Sequence, residues 1–498
     1  MSSRLPTADS ALTRRAFSLG AANAIDYALQ FLIPIVLTRA LEAEDFGRYR
    51  LLWLAVSTLM VAPLFMPQSL YYFLPRSDRP TQRLYINQTL LFLVAVGSLA
   101  AWTVSEWNPF LPQAIAGIAR GEVPLVPAFV LVWIVASLLD VLPTVDERVR
   151  WQARAIVGLS LLRSVSLGAV AVITHDFGAV LWTLVAFTGV KLGVLLAYIA
   201  STHGLGGPLP TRSTFSRQFR HAAPFGFAGT FYGLRAQADQ WVAAALFPVH
   251  VFASFSIATV LGPMVNLFRQ SVNHVFLPSM SRLHSRGDVR EMLALNSRAN
   301  SVVALLVYPL LAFVFVFAEP IVTLIYTSTY VDAAPVLRLY IVGLVAFVIE
   351  LNSVMLLLDQ GGFAMRVNAA TLALSVPLSV WGALTWGLPG AALGSVAMIQ
   401  VERVAVLLRI ARLTGEPFAR LQDWPRLGAL LAASALGAGA AGIAARSWGL
   451  APFATLAAGG AVMALAYPAA LCLSGQRSLI TGLFHPLAAT EAAPSGNP

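Results

Sequence analysis

Apolar runs of about 20 residues recur along almost the whole chain, and each is long enough to cross a hydrocarbon core about 30 Å thick. Within a bilayer every backbone N–H and C=O must find its partner inside the protein, so such runs fold as helices. The spans fall near 16–38, 50–74, 87–107, 124–146, 155–174, 178–200, 222–247, 251–277, 297–318, 335–358, 366–386, 389–409, 427–446 and 453–473. The expected fold class is therefore all-α: a polytopic membrane bundle of about fourteen transmembrane helices. Only 11% of the 498 residues are charged, against roughly 25% in soluble domains.

A net charge of +10 could suit nucleic acid, but its distribution excludes that partner. The Arg residues sit in short loops between spans, where they set orientation. They lie mainly on the side that holds both termini, which places both termini in the cytoplasm. The single cysteine, Cys472, excludes an intramolecular disulfide or a multi-Cys metal site. No P-loop, H-E-x-x-H or nucleophile-elbow pattern is present, and the loops are too short to hold an enzyme's extramembrane active site. The chain is expected to be a transporter rather than an enzyme, with no cofactor.

An internal repeat fixes the architecture. Segment 45–52 (DFGRYRLL) aligns with 251–258 (VFASFSIA), and Phe73-Leu74-Pro75 with Phe276-Leu277-Pro278. Further on, Arg154 falls on Arg366, Gly178 on Gly390 and Lys191 on Arg403. Two six-helix lobes of like orientation follow, related by a pseudo-two-fold axis along the membrane normal, an arrangement that puts a substrate path between repeats. The expected organisation is a cytoplasmic N-terminus (1–15), an N-lobe (16–200), a cytoplasmic linker (201–221), a C-lobe (222–409), two further helices (427–473) and a disordered cytoplasmic tail (474–498).

Ionisable side chains inside spans are costly and so point to function. Lys191 and Arg403 occupy equivalent places in the two repeats and would suit an anionic head group, with Arg163, Arg235 and Arg269 as further cavity cations. The alternative for Lys191 and Arg403 is a local carboxylate partner or snorkelling, with Glu402 beside Arg403. For Arg235 it is pairing with Asp239 one turn away, for Arg163 a salt bridge to a buried carboxylate, and for Arg269 snorkelling to the cytoplasmic surface. Asp140 reads as structural. Arg269 belongs to a polar stripe with Asn266 and Asn273, and Asp26 to one with Asn23 and Gln30. Asp26, Glu350 and Asp239 are the carboxylates through which H+ or Na+ could couple to transport, the alternative again being pairing with a buried cation.

LTRALEAEDFGRYRLL (37–52) resembles the signature that follows the first helix of bacterial polysaccharide flippases, in the multidrug/oligosaccharidyl-lipid/polysaccharide exporter superfamily. Leu37, Thr38, Arg39, Leu41, Phe46, Gly47 and Tyr49 carry the resemblance. Ala238-Asp239-Gln240-Trp241 and residues 319–340 are similar to later family segments, although Gln240 and Tyr326-Thr327 depart from the usual pattern. The resemblance implies alternating access through a central cationic cavity. The cargo it implies is an undecaprenyl-pyrophosphate-linked oligosaccharide, moved to the periplasmic leaflet for exopolysaccharide or O-antigen synthesis. Membrane lipids, a polysaccharide polymerase and export proteins are the implied partners. A cation-coupled multidrug exporter of the same superfamily is the alternative. Cavity cations outnumbering carboxylates favour the anionic cargo.

Overall fold

The computed structural model describes residues 8–109, 125–204, 206–208, 210–447 and 451–473. The first residues of the expected cytoplasmic N-terminus and the tail expected to be disordered lie outside the described residues. Among the described residues the chain is helical, with no strand. Eleven helices are long and apolar enough to cross a membrane, or twelve with the bent pair Ala43–Val61 and Phe65–Arg76, which turns through 46°. That bend falls at Pro63, whose ring and missing N–H break the helical ladder. Two further expected spans are also helical. Arg212–Leu246 continues from the polar linker and carries Arg235 and Asp239, and Ala333–Phe347 is only 15 residues long. Helix thus occupies at least part of every span read from the sequence.

The chain forms two compact units that interleave in sequence. The first collects the described residues up to Val260 together with Ile325–Leu339 and Gln360–Glu402. The second holds Leu261–Leu324, Tyr340–Asp359 and the segment from Arg403 onward.

In the first unit, helix Ala43–Val61 packs against helix Val249–Ala258, its counterpart in the repeat. Residues related by the repeat touch each other here. The Arg50 guanidinium donates from Nε to Ser256 Oγ and from Nη2 to the Ser256 carbonyl, both at 3.0 Å, and Ser256 is the residue onto which Arg50 maps. Self-matching contact is what a two-fold axis imposes on the elements nearest to it. The signature residues build this seam. Phe46 is fully buried, with its ring 5.6 Å from Tyr330, and Arg39 donates to the Ile325 carbonyl at 3.2 Å. Gly47 lies directly under Val249, so a β-carbon there would run into the Val249 carbonyl oxygen and meet Cγ1 at 2.7 Å.

In the second unit the last two helices, Trp424–Ser447 and Pro452–Leu473, pack on each other, and the first of them also packs on helix Val289–Val316. Small residues allow the close approach, as membrane helices require. A β-carbon on Gly442 would meet Val316 Cγ1 at 2.6 Å, and Ala438, Ala441 and Ala445 surround Phe317 and Met463. Tyr467 ties the final helix down by donating to the Leu305 carbonyl at 3.0 Å.

Gly47→Val should overpack the repeat seam and lower stability by about 1–3 kcal/mol. Detergent-solubilised protein followed by thermal size-exclusion would show it. Glycine at the open position 158, changed to alanine, should cause no loss on the same assay.

Candidate functional site

The run 335–358, expected as one span, is two helices. The first stops at Phe347 and the next begins at Asn352, so the backbone of 348–351 is non-helical. Exposed backbone of this kind is tolerated at membrane depth only when protein surrounds it and satisfies its polar groups. Glu350 N donates to Asn300 Oδ1 at 2.9 Å, and its carbonyl accepts from Asn296 Nδ2 at 3.0 Å. Gln422 braces both asparagines, donating to Asn296 Oδ1 at 3.1 Å and accepting from Asn300 Nδ2 at 3.0 Å. Asn273 donates to Ser353 Oγ at 2.6 Å on the far side of the break.

Charged side chains converge on the ring that ends the first helix. The Arg269 guanidinium lies 4.1 Å from the Phe347 ring centroid, and that of Arg403 lies 5.2 Å from it. Such contacts stabilise a cation most when it is desolvated. Arg269 also pairs with Glu350 Oε2 at 2.6 Å and donates to Asn266 Oδ1 at 2.7 Å. Arg403 is only 3% exposed, and its Nε and Nη1 have no hydrogen-bond partner among the described residues. Its chain neighbour Glu402 is engaged by Arg235 at 2.7 Å. Two guanidiniums and one carboxylate leave this cluster with a net positive charge. A buried cation with unmet donors is costly unless an anion completes it.

The remaining predicted residues lie in the first unit, and most are paired. Asp26 accepts from Arg163 (3.2 Å), from Gln30 (2.6 Å) and from the Ser160 hydroxyl. Lys191 donates to Asp140 at 2.8 Å, with its ammonium 5.0 Å from the Trp133 ring centroid. Both pairs line one cavity of about 260 Å³ formed by helices Ala8–Ala40, Leu125–Ala136, Val149–Thr174 and Phe177–Thr202. Asp239 is buried and accepts from the Gln240 N–H at 2.8 Å, and the carboxylate that reaches Arg235 is Glu402. Among the described residues no group of His, Cys, Asp or Glu could hold a metal ion.

Sequence reasoning missed Phe347, Asn296, Asn300 and Gln422. Asn296 and Asn300 stand one helical turn apart at the start of an apolar run, a polar stripe of the kind already noted for Asn266, Arg269 and Asn273.

The profile of the family described as polysaccharide biosynthesis protein matches residues 36–335, more than half of the chain. The chain belongs to that family. Its fold is shared with transporters of the multidrug/oligosaccharidyl-lipid/polysaccharide exporter superfamily. The lipid II flippase MurJ, in an inward closed conformation, superposes with a TM-score of 0.72 at 12% identity, covering 93% of this chain and 99% of that one. An inward-facing multidrug resistance transporter of the superfamily gives 0.60 at 14% identity, covering 78% and 96%. A superfamily transporter from Pyrococcus furiosus, described as having a binding pocket of reversed polarity, gives 0.53 at 16% identity, covering 82% and 96%. A comparison with curated proteins finds no sequence match.

Asn300→Leu removes both the cap on Glu350 N and a bond to Gln422. Each buried group left unpaired costs about 1–3 kcal/mol. The variant should lose at least that much stability on thermal unfolding, and backbone amides of 348–351 should exchange hydrogen faster while those of helix Val149–Thr174 do not change.

Proposed function

We propose that this protein is a flippase that carries an undecaprenyl-pyrophosphate-linked oligosaccharide from the cytoplasmic to the periplasmic leaflet of the bacterial inner membrane. The product feeds synthesis of an exopolysaccharide or O-antigen. The observation that carries the reading is the net-positive cluster of Arg269 and Arg403 on Phe347, buried beside a break in a membrane helix. Guanidinium groups bind phosphate oxygens through charge-assisted hydrogen bonds, and Arg403 has donors to give. Broken helices in transporters mark binding sites because their freed backbone and side chains serve a ligand. Membership in a polysaccharide biosynthesis family and the fold shared with a lipid II flippase support the same cargo class.

Arg163, Arg235 and Lys191 hold carboxylates in this state, so in this proposal they meet an anion only by exchanging partners. Coupling to H+ or Na+ enters through that exchange. Neutralising Glu350 releases Arg269, and neutralising Asp26 releases Arg163, so an ion gradient at these carboxylates, or at Asp239, would gate the cations. Both termini face the cytoplasm in this proposal, and a polymerase and export proteins receive the delivered unit. A cationic drug is the poorer cargo because Asp26, Glu350 and Glu402 are each already matched by a cation.

The test is deletion of the gene followed by extraction of undecaprenyl-linked oligosaccharides and assay of surface polysaccharide. Loss of polymer with completed lipid-linked units held on the cytoplasmic side is the expected result. Arg403→Ala, present at wild-type level in the membrane, should lower polymer at least tenfold, and Arg403→Lys should restore part of it. Unchanged polymer together with new sensitivity to cationic drugs would replace this reading with drug export.

A further inference from the structure

The 260 Å³ cavity of the first unit differs in electrical character from the Arg269–Arg403 cluster. Its ionised side chains are two cations and two carboxylates, joined as Asp26–Arg163 and Lys191–Asp140. The net charge is zero. A pyrophosphate entering it would meet Asp26 and Asp140, and a metal cation would meet Arg163 and Lys191. A metal cation must leave buried Arg163 or Lys191 without its carboxylate, which carries a heavy penalty, and an anion must compete with the Asp26 and Asp140 carboxylates already on those cations. The lining suits a ligand that is neutral and needs many hydrogen bonds.

The supply of such bonds is dense. Asn23 and Gln30 bring amides that both donate and accept. Gln152 also lines the cavity. It is 2% exposed, and its carbonyl oxygen has no hydrogen-bond partner among the described residues. Arg163 Nε is unpartnered in the same way. Trp133 adds an aromatic surface beside the Lys191 ammonium, which lies 5.0 Å from its ring centroid, and an electron-rich ring attracts the weakly positive C–H groups of a sugar. The volume lies just below the range of about 300–1,000 Å³ found for drug-sized ligands. It takes one ring rather than a chain of them. The Asp140 side chain is 57% exposed, so the cavity is open on that side to the rest of a longer molecule.

We propose that this cavity is a sugar subsite, holding one neutral monosaccharide unit of the cargo while the pyrophosphate binds elsewhere. The proposal rests on the flippase reading. In it Asn23, Gln30 and Gln152 bond ring hydroxyls, Trp133 packs on the ring, and the two ion pairs stay intact as further donors and acceptors while the sugar is held, the exchange of partners belonging to a later step of transport.

The full-length protein in lipid nanodiscs would be titrated with two ligands. One is the glycan released by mild acid from the lipid-linked pool of the deletion strain, and the other is undecaprenyl pyrophosphate without sugar. Wild type should bind both. Gln152→Leu should weaken glycan binding at least tenfold and leave undecaprenyl pyrophosphate unchanged, and Arg403→Ala should do the reverse. Asn23→Leu, at an exposed position outside both ion pairs, should reproduce the Gln152→Leu result even if that variant misfolds. Wild type that binds undecaprenyl pyrophosphate but no glycan, or glycan binding untouched by Asn23→Leu, would overturn the sugar subsite and leave the flippase reading standing. Saturable sodium binding lost in Asn23→Leu, with no glycan binding, would overturn it as well. Failure of wild type to bind either ligand would remove the flippase reading and the subsite together.

Discussion

Four residues of non-helical backbone, 348–351, set the terms for the second unit. An unpaired peptide group at membrane depth costs several kcal/mol. Val348 and Ile349 still donate to the backbone of the helix before the break, and side chains take over at Glu350. Asn300 serves the Glu350 N–H, Asn296 serves its carbonyl, and Gln422 fixes the orientation of both amides. Gln422 lies just before helix Trp424–Ser447, and the next residue, Asp423, donates its N–H to Ser297 at 2.8 Å. The approach to the last two helices is therefore part of the scaffold that holds the break open. Through it those helices support the site without contributing a residue of their own to it.

The break also explains where the charges are. It ends a helix on Phe347 and leaves Glu350 off the helical ladder, so the ring and the carboxylate present to Arg269 together. Had the helix continued, positions 347 and 350 would still share a face. Glu350 N would then have bonded to its own helix, and Asn300 Oδ1 would have lost the N–H from which it accepts. Burying two asparagines in an apolar helix is costly unless their amides are used, which is the physical reason to regard the break and the asparagines as one device.

Much of the fold was legible from the chain alone. Apolar length gave the spans, because the bilayer thickness imposes it. The repeat was readable for a related reason: elements beside a pseudo-two-fold axis contact their own counterparts, and Arg50 meets Ser256 as the alignment pairs them. The break was not legible. A four-residue interruption in an apolar run leaves hydropathy almost unchanged, and Glu350 reads as one more charge within a span. Partners of the buried charges were equally hidden. Arg235 finds Glu402 across 167 residues of sequence, and Arg163 finds Asp26 across 137. Spacing within a helix reveals neighbours three and four residues apart, but carries nothing about carboxylates supplied by another helix.

Lys191 and Arg403 show what a repeat does and does not fix. They occupy one position in two copies of the same unit, yet their surroundings have diverged. Lys191 has a carboxylate at 2.8 Å in a cavity with no net charge, whereas Arg403 has an aromatic ring and unmet donors in a cluster with a surplus of positive charge. Symmetry at the level of helices therefore coexists with asymmetry at the level of chemistry. A symmetric pair of cations would serve a cargo with two like ends. A neutral polar pocket in one unit and a buried cationic cluster in the other therefore offer two different chemistries, hydrogen bonds without net charge and unmet guanidinium donors. Equivalent places in a repeat fix where a charge stands along a helix, and the neighbouring helices decide what that charge meets.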